Sequence, residues 1–290
     1  MHATARFATV VVALGLAVAG CKKKDQAAPA AGSNAAGSNA AAGSNVTPPP
    51  PPPVAASAIT AAVTPAEAVA AADRPQADKD LDAGRKPAEL LTFLKVGPGM
   101  KVAELFAGGG ATVELLARVV GPTGTVYGQN TKEILEKFAE KPWSERLARL
   151  AAPSIVRVDR DLADPLPPEA HDLDLVVMHL VYHDTVWLGV DRAAMNAAIF
   201  KALKPGGEFA VIDHAAKDGA GLDVAKELHR IEAKTVLAEV TAAGFVIDRT
   251  SDMFAHPDDT RDWSASPAVA GDKRGMSDRF TLVFKKPVAP

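Results

Sequence analysis

From Lys101 onward the apolar residues come in short runs separated by amphipathic stretches. Lys101–Phe106, Gly124–Gln129, Ser154–Val158, Leu173–His179, Glu208–Asp213, Phe245–Thr250 and Arg279–Lys285 each read as a strand. Between them, Thr112–Val120 puts Val113, Leu116, Ala117 and Val120 on one helical face. Lys132–Ala139, Ala193–Leu203 and Leu222–Ala243 read as further helices, the second stopping at Lys204-Pro205-Gly206-Gly207. Buried strands that alternate with helices require a mostly parallel sheet covered on both faces. The predicted fold is a doubly wound α/β sandwich.

Ligands of such a sheet lie beyond the carboxyl ends of the strands, near the switch point at the first strand. Glu104-Leu105-Phe106-Ala107-Gly108-Gly109-Gly110 occupies that place and leads through Thr112 into a helix. Glycines there let the backbone approach a ligand, and the helix amides that follow attract negative or polar groups. Asn130 ends the second strand, where a polar side chain can meet ribose hydroxyls. Asp159 and Asp161 end the third, in position for an adenine amino group.

With the Leu203–Gly207 motif before the fifth strand and the terminal strand pair, residues 87–286 resemble the class I S-adenosylmethionine-dependent methyltransferases. Within that superfamily the chain looks like a poorly characterised bacterial group of predicted methyltransferases. That closer likeness rests on Arg85-Lys86-Pro87, Val126-Tyr127-Gly128-Gln129-Asn130, Tyr182-His183-Asp184, Asp213-His214, Leu228-His229-Arg230 and Ser277-Asp278-Arg279-Phe280. The resemblance implies a seven-stranded sheet with the last strand antiparallel and S-adenosylmethionine as cofactor. It implies a cofactor site of Glu104, Phe106, Ala107, Gly108, Gly109, Gly110, Thr112, Asn130, Asp159, Asp161 and His179. Two residues depart from the family pattern. Phe106 stands where a glycine usually gives room, and Asn130 replaces the usual acidic residue; an amide lacks the charge-assisted strength of a carboxylate.

Five of the seven histidines lie between His171 and His229. Strand four ends in His179 and runs on into Tyr182-His183-Asp184, and strand five ends in Asp213-His214, so these loops border one crevice. If the chemistry is methyl transfer, His183 is the expected general base, oriented by Asp184, with Tyr182 and His214 contacting the acceptor. Two other readings stay open. His179, His183 and His214 suit a metal ion, and an exported protein that has lost the cofactor would be a metal-dependent enzyme or a metabolite-binding lipoprotein. In the latter, Arg230 and Arg279 would clamp an anion.

The start of the chain reads as an export signal. Arg6 precedes the apolar stretch Phe7–Gly20, too short to span a bilayer but suited to a secretory signal. Its end, Val18-Ala19-Gly20-Cys21, resembles a bacterial lipobox, which implies cleavage before Cys21 and a diacylglycerol on its sulfur. Cys21 is the sole cysteine of the 290 residues, so no intramolecular disulfide forms. Residues 21–65 read as a tether, with Ala-Gly-Ser-Asn at 31–34, 36–39 and 42–45 and an unbroken Pro48–Pro53 run. The expected organisation is a signal peptide over 1–20, this tether, and a methyltransferase-like domain over 66–290. Its expected place is the cell envelope, held to a membrane by lipid on Cys21, at the outer membrane or periplasmic face. A net charge of −3 and a pI near 6.2 give no reason to expect nucleic-acid binding. The expected partner is a small-molecule acceptor.

Overall fold

In each core strand, successive side chains point to opposite faces, and both faces are covered. Along β1 (Lys101–Leu105), Val102 packs in one apolar layer while Ala103 and Leu105 pack in the other, all fully buried. This is the pattern of an internal parallel strand. The computed structural model describes residues 58–288, which belong to one compact unit. The expected signal peptide, Cys21 with its expected lipid, and most of the expected tether lie outside the described residues.

A single seven-stranded sheet runs in the order β3-β2-β1-β4-β5-β7-β6. Its other strands are β2 (Thr125–Asn130), β3 (Ile155–Asp159), β4 (Leu173–His179), β5 (Leu203–His214), β6 (Val246–Ser251) and β7 (Arg279–Lys285). β1 to β5 pair in parallel, and β7 enters antiparallel between β5 and β6. The predicted doubly wound sandwich with an antiparallel last strand is the observed fold. Because β2 and β3 stack on one side of β1 and β4 on the other, the loops leaving β1 and β4 diverge and open a crevice at the sheet's carboxyl edge.

The glycine run turns β1 into the helix Ala111–Val120. Gly110 has φ 76°, and a Cβ there would come within 2.1 Å of the Trp143 ring. A Cβ on Gly128 of β2 would meet the same ring at 2.8 Å. Trp143 is fully buried and belongs to the helix Glu140–Leu150, so two of the glycines make room for an indole rather than for a ligand. Glu114, 1 % exposed, draws this helix inward by accepting from its Arg146 and Arg149, and also accepts from Arg118 on its own helix.

Residues with no predicted structure complete the crevice. Thr64 and Glu67 form a capping box for the helix Pro65–Ala70. Ile59 and Val63 pack against the core, and the Val63 amide donates to the Arg118 carbonyl at 3.0 Å, so the folded body takes in residues whose composition reads as tether. Asp78 reaches Arg146 at 2.8 Å, and the next short helix, Asp82–Arg85, delivers Arg85 to the crevice.

The predicted helix over 222–243 is two helices. Val224–Leu228 ends at His229, which takes the left-handed φ of 50°; Ile231 then bridges to Ala215, and Ala233–Ala242 begins afterwards. Arg230 forces the break, since its fully buried guanidinium pairs with Asp259 at 2.8 Å and lies 4.8 Å from the Trp263 ring centre. Among the described residues no helix is long and apolar enough to cross a membrane.

Candidate active site

A cavity of about 460 Å³ opens at the carboxyl ends of β1 and β4. Glu104, Phe106, Ala107, Gly108, Gly109 and Thr112 line one end, while His179, His183, Asp184, His214 and His229 line the other. Three non-glycine residues on its walls hold left-handed backbone: Phe106 (φ 60°), Leu180 (φ 64°) and His229 (φ 50°). Bulky residues adopt that conformation at a cost that the surrounding structure must offset, and such outliers concentrate at functional sites.

The glycine end is braced from behind. The Phe106 amide donates to Gln129 Oε1 at 2.9 Å and the Ala107 amide to the Gln129 carbonyl at 2.8 Å. Asn130, fully buried, clamps Gly108 in both directions: its Oδ1 accepts from the Gly108 amide at 2.8 Å and its Nδ2 donates to the Gly108 carbonyl at 3.0 Å. Asn130 therefore shapes the loop and does not line the cavity, which corrects its expected place at a ribose. Gly110 likewise faces Trp143 instead of the cavity. Asp159 and Asp161 are not brought to the site either, because β3 is the outermost strand and the Asp159 carboxylate is held by Arg157 at 2.8 Å.

Two charged side chains at this end keep spare bonding capacity. Glu104 is buried, its Oε2 accepts no hydrogen bond, and burial pushes its carboxyl up to about 7 despite Thr112 and Arg85. Arg85 lines the same cavity and makes no ion pair among the described residues; burial lowers its guanidinium, with Arg274 as a further cation nearby and Glu104 pulling the other way. His179 stands between them and the histidine end. Its buried Nε2 has no partner, and burial together with Arg85 and Arg279 pushes it down to about 3, so it is neutral.

At the other end, His183 is 2 % exposed and held by Asp213. Its Nδ1 lies 2.7 Å from Asp213 Oδ1, and its backbone amide donates to Asp213 Oδ2 at 2.7 Å. Its Nε2 lies 3.1 Å from Asp184 Oδ1 and 3.1 Å from His229 Nδ1. Burial alone would lower this imidazole, but Asp213 and Asp184 outweigh it and hold it at about 10. His183 already carries its proton at neutral pH. It is not a free general base, and Asp213 on Nδ1 orients it together with the expected Asp184 on Nε2.

Tyr182 is also corrected. It is fully buried on the far side of the loop, donating to Glu239 at 2.9 Å and accepting from Asn196 at 2.9 Å, away from any acceptor. His214 does line the cavity, with Nδ1 2.7 Å from Ser277 Oγ; burial and the charge on His183 keep it neutral. Arg230 is no anion clamp, since Asp259 occupies it. Arg279 lies against Phe254 and donates to the Ser277 and Gly275 carbonyls; burial, with Arg85 nearby, lowers it to about 10. Sequence reasoning gave no role to Asp213 of the Asp213-His214 motif or to Arg85 of the Arg85-Lys86-Pro87 motif.

No family model matches the chain. Its fold resembles a SAM-dependent methyltransferase from Aquifex aeolicus, at 17% identity and a TM-score of 0.52, over 73% of this chain and 98% of that one. A chain described as a methyltransferase, solved with the Haloferax volcanii Trm112 methyltransferase activator, matches at 18% identity and 0.50 over 78% and 98%. A chain described as a sarcosine dimethylglycine methyltransferase from Galdieria sulphuraria matches at 16% identity and 0.50 over 71% and 86%. At these identities the likeness is one of fold: the chain has the Rossmann-like methyltransferase fold.

Proposed function

We propose that the chain is an S-adenosylmethionine-dependent methyltransferase with a small-molecule acceptor. The observation that carries this reading is the pair of opposite charges, Glu104 with its free Oε2 and Arg85 with no ion pair, on the walls of one cavity beside the glycine loop. A buried carboxylate oxygen without a donor costs free energy, a half-buried guanidinium with no ion pair is open to an anion, and a zwitterion satisfies both. The amino-acid end of S-adenosylmethionine is such a zwitterion, its ammonium suited to Glu104 and its carboxylate to Arg85. Gly108 leaves space on the cavity wall for the nucleoside, since a Cβ there would meet nothing within 4 Å.

Bound there, the cofactor supplies a sulfonium-activated methyl group. The chain's own contribution is to hold the acceptor and take its proton. Because His183 is already protonated, it holds its neighbours Asp184 and His229 in place to take that proton, with neutral His214 and His179 on the same cavity wall. The test is selectivity for the zwitterion. S-adenosylhomocysteine is expected to bind at least tenfold more tightly than methylthioadenosine, which lacks the amino-acid end, and Arg85→Ala is expected to erase the difference. Equal affinity of the two ligands for the unaltered chain would overturn the reading.

We further propose that Cys21 is lipidated and holds the domain at the envelope. What supports this is the Phe7–Gly20 apolar run ending at that cysteine and the proline-rich stretch that follows. Cys21→Ala is expected to move the protein out of the membrane fraction, and an unchanged distribution would contradict it. An exported domain requires that its cofactor reach the envelope.

A further inference from the structure

We infer that His183, Asp184 and His229 form a binding site for one divalent transition-metal ion. Their ligand atoms make a nearly regular triangle: His183 Nε2 to His229 Nδ1 is 3.1 Å, His183 Nε2 to Asp184 Oδ1 is 3.1 Å, and His229 Nδ1 to Asp184 Oδ1 is 3.4 Å. Donors about 2.0–2.2 Å from a tetrahedral or octahedral ion stand roughly 3.0–3.5 Å apart, so the triangle has the size of one face of a coordination shell. Two imidazole nitrogens and a carboxylate oxygen suit zinc or ferrous iron.

The groups behind the triangle fit the same reading. Asp213 takes His183 Nδ1 at 2.7 Å, which points the opposite nitrogen, Nε2, into the triangle. Trp187 Nε1 donates to Asp184 Oδ1 at 3.0 Å and fixes that carboxylate. Carboxylate-held imidazoles and hydrogen-bonded carboxylates are the usual outer support of a metal. His229 reaches the triangle only through its left-handed backbone at the end of the helix Val224–Leu228, with its ring centre 5.2 Å from that of His183. That conformation is costly for a non-glycine residue, and the buried pairing of Arg230 with Asp259 next to it holds the turn that presents His229.

Among the described residues this is the only trio of histidine, cysteine or acidic side chains with such closeness. It replaces the trio expected from sequence: His214 is taken up by Ser277, and His179 stands apart beside Arg85 and Arg279. On binding, the ion takes the place of the His183 Nε2 proton, which leaves to solvent, while the Nδ1 proton stays on the ring and is donated to Asp213. All three residues line the cavity, so the ion's remaining positions open into it. The site goes beyond the methyl-transfer reading and stands without it. Only its use rests on that reading: an acceptor hydroxyl bound to the ion gives up its proton more readily.

The full chain, stripped with a chelator and free of cofactor, is titrated with Co²⁺ as a spectroscopic probe and then with Zn²⁺ in competition. One equivalent is expected, with d–d bands that zinc removes. His229→Ala and the near-isosteric Asp184→Asn are each expected to weaken binding at least roughly 100-fold, more than the loss of an outer-shell partner. Exposed His171→Ala, paired on the surface with Asp172, is expected to change nothing. No stoichiometric binding, or binding that survives in both triangle variants, would overturn the proposal. Because no S-adenosyl compound is present, this result is independent of whether the cofactor binds.

Discussion

Asp213 grips His183 twice, its Oδ2 accepting the backbone amide and its Oδ1 meeting Nδ1, each at 2.7 Å. With Asp213 and His183 both almost wholly buried, removing one partner strands a charge in the core. Asp213→Ala is expected to lower unfolding stability by about 3–5 kcal/mol, as measured by urea denaturation. A loss under about 1 kcal/mol would show that this pair does not anchor the strand-four loop.

The same pair makes stability depend on pH. The His183 imidazole is held at about 10 in the folded chain against an ordinary 6.5, so its stabilising contribution is complete below 6.5 and disappears as pH rises toward 10. The metal-free chain is expected to lose denaturant resistance steadily across that window. His183→Gln is expected to flatten this part of the profile, and an unchanged slope in that variant would refute the assignment.

Glu104 has the opposite consequence. Its carboxyl is raised from 4.5 to about 7, so the folded state favours the protonated form, and stability falls as pH rises from 4.5 to 7. Glu104→Gln is expected to be more stable than the unaltered chain at pH 8 without ligand. The same variant is expected to bind S-adenosylmethionine at least roughly tenfold more weakly, the size of a lost charge-assisted hydrogen bond. Calorimetry and denaturation on one sample check both halves, and a variant that is weaker in both would count against an unpartnered charge.

Tyr182→Phe separates the core from the site. The hydroxyl bonds Glu239 and Asn196, so its loss is expected to cost about 1 kcal/mol of stability. Methyl transfer is expected to stay near the unaltered rate. A large fall in turnover at unchanged stability would return Tyr182 to the site.

Strand positions were legible because buried parallel strands are apolar on both faces; β4 and β7 span the residues that periodicity predicts. The glycine turn and the clustered histidines also stood out as residue types at strand ends. What stayed hidden depends on distant packing. The break at His229 follows from Arg230 meeting Asp259, 29 residues away, which no local pattern records. Gly110 reads as a ligand turn until Trp143 is found beneath it. The grip of Asp213 on His183 requires β5 to lie beside β4 in the register that sets His179 against Ile212. Arg85 was hidden because the alanine-rich stretch before it carries no clear period.

The central claim, that this cavity holds S-adenosylmethionine by its zwitterionic end, is tested most directly by calorimetric titration of S-adenosylmethionine into the full chain and its Arg85→Ala variant. The predicted result is one micromolar site in the unaltered chain, weakened at least tenfold in the variant. A folded chain that takes up no S-adenosylmethionine, or that binds it equally well without Arg85, would contradict the claim.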